Sequence, residues 1–228
     1  MFGVQRWFAW VLGACMVAPT ASAQSDIKFN LGLGVTFGGE TIGGWSTSSG
    51  TQELTLGGEV LMSLGADIGH FPVDATSTII SIGWQSATVS GSNGSDEFSR
   101  VPIEGLVLYS FGENIRAGAG VQYVMSPTHE CGIVIGGSDA CVPYYEYNKA
   151  EFAPAIGVVL HAEYILRSLP QYDLSIGLRY ASMGYEYAKV DGVSVIPLAT
   201  LDGSYVGVTF GFIFPKASTG PARTGLEQ

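Results

Sequence analysis

Ile27-Lys28-Phe29-Asn30-Leu31-Gly32-Leu33-Gly34-Val35-Thr36-Phe37-Gly38 divides by parity: its odd positions are Ile, Phe, Leu, Leu, Val and Phe, and its even positions Lys, Asn, Gly, Gly, Thr and Gly. A period of two is that of a β-strand, and here one whole face is apolar. The split recurs. Leu54, Leu56, Val60, Met62 and Leu64 oppose Thr55, Gly57, Glu59 and Ser63, and Ile80, Ile82 and Trp84 oppose Ser81, Gly83 and Gln85. Val101, Ile103, Val107, Tyr109 and Phe111 then oppose Arg100, Glu104 and Ser110, with Leu106 and Leu108 blurring the contrast. Ile115 to Tyr123, Phe152 to Tyr164, Leu174 to Tyr180 and Val206 to Phe214 alternate in the same way. The total of eight segments is even and suits closure of an all-β chain into an antiparallel up-and-down barrel.

Side-chain size tells which face is inside. The apolar faces carry Leu, Ile, Val and Phe, and the opposite faces carry Gly, Ala, Ser and Thr with occasional charges. Small and polar residues fill the narrow lumen of an eight-stranded barrel, whereas a lipocalin needs its large apolar residues within. Large apolar residues outside require lipid, and segments of about 10 residues match a tilted bilayer crossing. The expectation is a transmembrane β-barrel. Tyr109, Phe111, Tyr123, Tyr164, Tyr172, Tyr180 and Phe214 fall near the ends of the apolar faces, where interfacial aromatics belong. Compact linkers around 70–76, 112–114 and 167–171 alternate with longer connections at 39–52, 127–149 and 186–202, and Asn93-Gly94 reads as a type I′ turn between the third and fourth segments. Short turns on one side and long loops on the other place both ends of the barrel on the periplasmic side.

Composition agrees. Only 13% of the 228 residues are charged while 46% are hydrophobic, against about 25% charged in an average soluble domain. A net charge of -10, with ten scattered Lys and Arg, argues against nucleic acid as a partner. Arg6, the apolar run Trp7 to Ala18, Pro19 and Ala21-Ser22-Ala23 read as a secretory signal over residues 1–23, with cleavage after Ala23. Leu12-Gly13-Ala14-Cys15 offers a competing lipoprotein reading in which Cys15 becomes the lipidated first residue. Beyond Ala23 no apolar run reaches the roughly 20 residues of a helical span.

In these features the chain resembles the eight-stranded outer-membrane barrels of the OmpA, OmpX and opacity-protein type, with the barrel in residues 24–214. Its most specific local match is Tyr205-Val206-Gly207-Val208-Thr209-Phe210-Gly211-Phe212, which looks like the C-terminal insertion signal of such barrels through Tyr205, Gly207, Phe210 and Phe212. The resemblance implies residence in the outer membrane, contact with its lipid, and the barrel-assembly machinery as a partner during insertion. Family members often stop at the terminal aromatic; here Pro215 to Gln228 continues as an aperiodic tail, expected to be flexible and periplasmic.

Three constellations bear on function. Cys131 and Cys141 share the longest loop, and an oxidising compartment favours their pairing as a disulfide. Holding a metal with His129 is the alternative, but the spacing matches no strong zinc motif, and no metal or cofactor is expected. Tyr144-Tyr145-Glu146-Tyr147 beyond them is either a contact surface or an extension of the sixth strand. Lys28, Glu59, Arg100, Glu104, Arg116, His161, Glu163 and Arg179 share the inward parity with Asn30, Gln85 and Gln122. Charges of both signs in a narrow lumen call for pairing, because an isolated buried charge is costly. A plugged barrel acting through its extracellular loops, as an adhesin does, follows, and the ligand of those loops is not legible. A small-solute or hydrophobic-solute channel is the first alternative. A lipid-modifying enzyme is the second, set against the absence of a Gly-x-Ser-x-Gly elbow and the inward parity of His161.

Overall fold

Eight of the chain's strands form the barrel wall: β1 (Ile27–Gly38), β2 (Val60–Gly69), β3 (Thr76–Gly91), β4 (Gly94–Phe111), β5 (Ile115–Ile133), β6 (Ala155–Leu166), β7 (Asp173–Ser182) and β8 (Tyr205–Phe214). The structure, a computed structural model, describes residues 27–47, 50–69, 75–91, 94–133, 148–167, 172–196 and 199–214. The proposed signal, the tail, Cys141, the Tyr144 to Tyr147 cluster and Asn93 lie outside the described residues. Each strand pairs antiparallel with the next, and β8 returns to β1 in a register running from Phe29 opposite Phe214 to Gly38 opposite Tyr205. The ring is closed, so the wall has no free edge where lipid would strand backbone hydrogen-bonding groups.

The two faces differ as parity requires. Leu31, Leu33, Leu64, Ile82, Val107, Leu160, Ile176, Val206 and Phe210 point outward and are exposed, as are Ile156 at 74% and Leu178 at 65%. Such an exterior is stable only in lipid, and the fold is an eight-stranded antiparallel up-and-down transmembrane barrel. At the turn end the rings of Tyr109 and Phe111 meet at 4.9 Å, Tyr172 lies 5.9 Å from Phe212 and 6.2 Å from Phe214, and Asn114 Nδ2 donates to the Tyr164 hydroxyl at 3.1 Å. Gly112, at φ 77°, takes the left-handed position of the β4–β5 turn. Close wall contact needs glycine at Gly120, where a Cβ would stand 2.0 Å from the Gly105 carbonyl oxygen.

The wall is uneven in height. β3, β4 and β5 have 16, 18 and 19 residues, while β1, β2 and β8 have 12, 10 and 10. These lengths exceed the sequence expectation, which ended the corresponding segments at Gln85, began the next at Arg100 and closed the fifth at Tyr123. Where β5 rises past the belt its register with β4 shifts between Ser99 and Val101, and Ser126 adopts φ 47°. This bulge reverses parity, so Gln122 and Val124 face inward below it and His129 and Cys131 face inward above it.

Two expectations fail at the loop end. Leu54 and Leu56 do not belong to β2 and do not face lipid: Gly50–Thr55 pairs with Thr41–Thr47 as a separate hairpin, and both leucines are buried. Phe152 is likewise buried, in the strand Lys149–Phe152 that extends β6 beyond Ala153 and Pro154 along β5. Ile42, Leu54, Leu56, Phe98, Phe152, Met183, Tyr185 and Leu201 belong to one apolar core inside the tall wall. Phe98 meets Phe152 edge-on at 5.9 Å and Tyr185 at 6.0 Å. Burying each of the two leucines contributes roughly 1.5–3 kcal/mol, the same reward that lipid gives an outward leucine.

Candidate functional site: the lumen and its loop-end cap

Inward side chains fill the barrel in tiers. Nearest the turn end, Arg116 on β5 donates through Nε to Glu163 Oε1 at 2.9 Å, with Nη2 2.7 Å from the same oxygen. Its Nη1 donates to Asp67 on β2 and, at 3.1 Å, to the Ser77 hydroxyl on β3. One guanidinium thus spans three walls. His161 Nε2 lies 3.8 Å from Glu163 Oε2 and the Nδ1 atom is buried without a hydrogen-bond partner. Lys28 stands opposite Asp67 in register and lines the turn-end cavity of about 160 Å³.

In the middle, Arg179 on β7 reaches across to Glu104 on β4 with two hydrogen bonds, Nη1 to Oε2 at 2.8 Å and Nη2 to Oε1. The planar fork of arginine matches the two carboxylate oxygens, which makes this the geometry best able to offset burial of both charges. Arg179 Nε also donates to the Tyr205 hydroxyl at 3.1 Å; that hydroxyl accepts from Gln85 Nε2 at 3.3 Å and donates to Gln122 Oε1 at 3.2 Å. A smaller cavity of about 80 Å³, lined by Ser63, Ser81, His161, Glu163 and Ser175, lies beside this tier.

Toward the loop end, Arg100 is 1% exposed and its Nη2 donates to Glu59 Oε2 at 2.5 Å. Nη1 donates to the Tyr185 hydroxyl, and the guanidinium carbon lies 5.7, 5.6 and 5.0 Å from the ring centres of Phe98, Tyr185 and Tyr205. Three aromatic faces and one carboxylate replace the water this cation would otherwise hold. Glu59 leads into β2 from the Thr41 to Thr55 hairpin, and its backbone is tied to Thr36 by N–H to O bonds of 2.8 and 3.2 Å. Above, His129 Nε2 and Asp96 Oδ1 are 2.5 Å apart, both groups buried, under Gly43 of the hairpin, where a Cβ would fall 2.2 Å from Asp96 Oδ2.

The structure therefore brings Glu59 to Arg100, Glu104 to Arg179, and Arg116 and His161 to Glu163. Among the described residues Lys28 joins no ion pair. Sequence reasoning missed Asp67, Tyr185, Asp96 and the lumenal part of Tyr205. Tyr205, read as the first residue of the insertion signal, is 1% exposed and its hydroxyl is the hub of the middle tier, while Phe210 of the same motif faces outward. Gly207 lies where a Cβ would meet Thr36 at 2.8 Å, and Phe212 stays against Tyr172. Cys131 is buried at the outer end of β5. No group of three or more His, Cys, Asp or Glu suited to a metal occurs among the described residues.

No protein-family model and no curated protein sequence matches the chain. Among solved structures, Neisserial surface protein A is similar at 13% identity with a TM-score of 0.43, over 82% of this chain and 96% of that one. The attachment invasion locus protein of Yersinia pestis, solved with the heparin analogue sucrose octasulfate, is similar at 8% identity with a TM-score of 0.43, over 84% of this chain and 97% of that one. An outer-membrane channel from Pseudomonas putida F1 covers 88% of this chain and all of its own at 13% identity with a TM-score of 0.28. Strand order, closure and the opposed faces identify the architecture without them: the chain is an eight-stranded antiparallel transmembrane barrel.

Proposed function

We propose that this protein is an integral outer-membrane barrel with a closed lumen, whose work is done by the loop end at the cell surface, with both barrel ends in the periplasm. The observation that carries the reading is Arg100, buried across the lumen against Glu59 beneath a packed apolar cap. A path for ions would have to open the Arg100, Arg179 and Arg116 tiers in turn. The tall wall of β3 to β5 holds the cap as a rigid platform above the membrane, which suits contact with another surface. Catalysis finds little support here: of His161, Glu163 and Ser175, which line a cavity of about 80 Å³, Glu163 is held by Arg116 and His161 Nδ1 has no hydrogen-bond partner to orient the ring. Purified barrel in a planar bilayer should show no steady conductance. Steady, selective currents that change in Glu104→Ala or Arg116→Ala protein would replace this reading with a channel.

Pairing of Cys131 with Cys141 belongs to the same proposal, since the cell surface is oxidising and the loop would be closed at the edge of the cap. Mass spectrometry of mature protein should find no free thiol at these two positions; two free thiols would sink the pairing. Closing a loop of this size contributes on the order of 2–3 kcal/mol, less any strain.

A further inference from the structure

Above the lipid belt the outer faces of β3, β4 and β5 change chemistry. On β3 the exposed Ile80, Ile82 and Trp84 are followed on the same parity by Ser86, Thr88 and Ser90, and on β4 Val107 and Ile103 are followed by Ser99 and Glu97. The registers align these residues in two rows across the wall. The lower row runs Ser86, Ser99, Thr128 and Glu151; the upper runs Thr88, Glu97, Glu130 and Lys149. The Ser99 and Thr128 hydroxyls share a hydrogen bond of 3.1 Å, and Ser86 donates to Glu97 Oε1 at 3.2 Å, so the lower row is largely satisfied within the wall. The upper row is not. Lys149 donates to Glu130, yet the two side chains stay 47% and 56% exposed, and Ser95, Glu97, Glu130, Cys131, Asn148 and Lys149 line a cavity of about 260 Å³. At the turn end, by contrast, the outward face stops at Phe111, Ile115, Leu166 and Phe214.

Height decides what can lie against the upper row. Four residues separate Trp84 from Thr88, which is about 13 Å along a strand and about 10 Å along the membrane normal at the usual tilt. Trp side chains sit at headgroup level, and the headgroup layer of a phospholipid bilayer is only about 5–8 Å deep on each side. Phospholipid therefore wets the Ser86 row and falls short of the Glu97 row. A lipid with sugars in its headgroup reaches it, and the chemistry matches: sugar hydroxyls donate to the Glu97 and Glu130 carboxylates, and a sugar phosphate accepts from the exposed side of the Lys149 ammonium. We propose that this outward strip docks the phosphorylated sugar headgroup of a glycolipid in the outer leaflet, with Glu97, Glu130 and Lys149 as its contacts. The strip continues the lipid-facing surface on the same strands, so a lipid whose chains pack beside Trp84 presents its headgroup there.

Since contact with the outer leaflet rests on the loop-end-out orientation proposed above, the test uses lipid discs, whose two leaflets are identical and where orientation in a cell does not enter. The full chain is folded into phosphatidylcholine discs, lipopolysaccharide with a short phosphorylated core is added in steps, and backbone-amide chemical shifts are read. Thr88, Glu97, Glu130 and Lys149 should shift and saturate at a lower glycolipid fraction than Phe111 and Ile115 at the turn end. Phosphatidylglycerol, which brings negative charge without sugars, should leave the upper row in place. Glu97→Ala and Lys149→Met should each raise the fraction at half-saturation about threefold, the size of one exposed charged contact, and leave the turn-end response as in the parent. No saturable shift in the upper row, saturation at the same fraction at both ends, equal shifts with phosphatidylglycerol, or parental half-saturation in both variants would each overturn the proposal. Shifts that follow protein concentration instead of glycolipid fraction would give the face to a second copy and overturn it too. None of these failures would touch the closed lumen, which the conductance measurement tests separately.

Discussion

Glu104 and Arg179 stand on opposite walls, and what joins them is two hydrogen bonds between a flat fork and a flat carboxylate, both groups nearly inaccessible. Removing one partner is therefore not the same as removing the pair. Glu104→Ala would leave a guanidinium in the lumen with only Tyr205 and Gln122 to serve it, at a cost of about 3–5 kcal/mol for a fully buried pair and less where lumen water reaches it. Glu104→Gln keeps an acceptor in place and should cost less. Urea titration of the folded barrel in lipid vesicles measures both; equal stability of Glu104→Ala and the parent would mean that the tier contributes nothing. Arg100 differs in kind, since its partners come from the loop end as well as the wall: Glu59 precedes β2, and Tyr185 follows β7.

At the scale of the element, the loop-end hairpin of Tyr187–Val190 and Val193–Ser194 turns through Asp191 at φ 48° and Gly192 at φ 80°, the two positive values that a type I′ turn demands. Asp191 Oδ1 also accepts from the backbone N–H of Asn148 at 2.9 Å and of Lys149 at 3.0 Å, fastening the hairpin to the neighbouring strand. Across this sheet run exposed ion pairs, Lys149 to Glu130 at 2.5 Å and Lys189 to Glu151 at 2.9 Å. The hydrogen bond from Lys189 holds the Glu151 carboxyl below its usual range, and the bond to Glu130 holds the Lys149 ammonium above its own. The signs are opposite. The Glu151 contribution is present above the ordinary carboxylate pKa and lost as pH falls through the lowered value; that of Lys149 is present below the ordinary ammonium pKa and lost as pH rises through the raised one. Amide hydrogen exchange at Ala150 and Glu151 should thus be slowest between those limits and faster on either side, modestly and less so in high salt; a flat profile after correction for intrinsic exchange would count against it. Counting by two was enough to place the lipid belt, because lipid rewards every second residue alike. Continued from Glu59 and Ser63, the same count reaches Asp67, so that member of the turn-end tier was within reach. The cap was not. Leu54, Leu56 and Phe152 alternate as strictly as Leu31 does, since a packed core and a bilayer favour the same side chains, and Met183 and Tyr185 come from a stretch with no period at all.

The whole molecule is one wall in two solvents, lipid around the belt and water around the tall side of β3 to β5. Exposure cannot separate the two: Leu178 at 65% and Val193 at 67% are equally bare. Leu178 sits within β7, opposite Val208 on one side and Ala162 on the other, in the middle of the belt. Val193 lies at the edge of the loop-end hairpin, beyond it. A charge at Leu178 must be drawn out of water, so Leu178→Arg should destabilise the folded barrel by about 2–4 kcal/mol at the bilayer midplane. Val193→Arg places the same guanidinium where water already is, and should stay within about 0.5 kcal/mol of the parent. Urea titrations in vesicles of a single lipid composition compare the two directly. A large cost at both positions would put the hairpin in the membrane, and a small cost at both would mean that the belt of Leu178 is not in lipid, which would undo the transmembrane assignment from the outside inward.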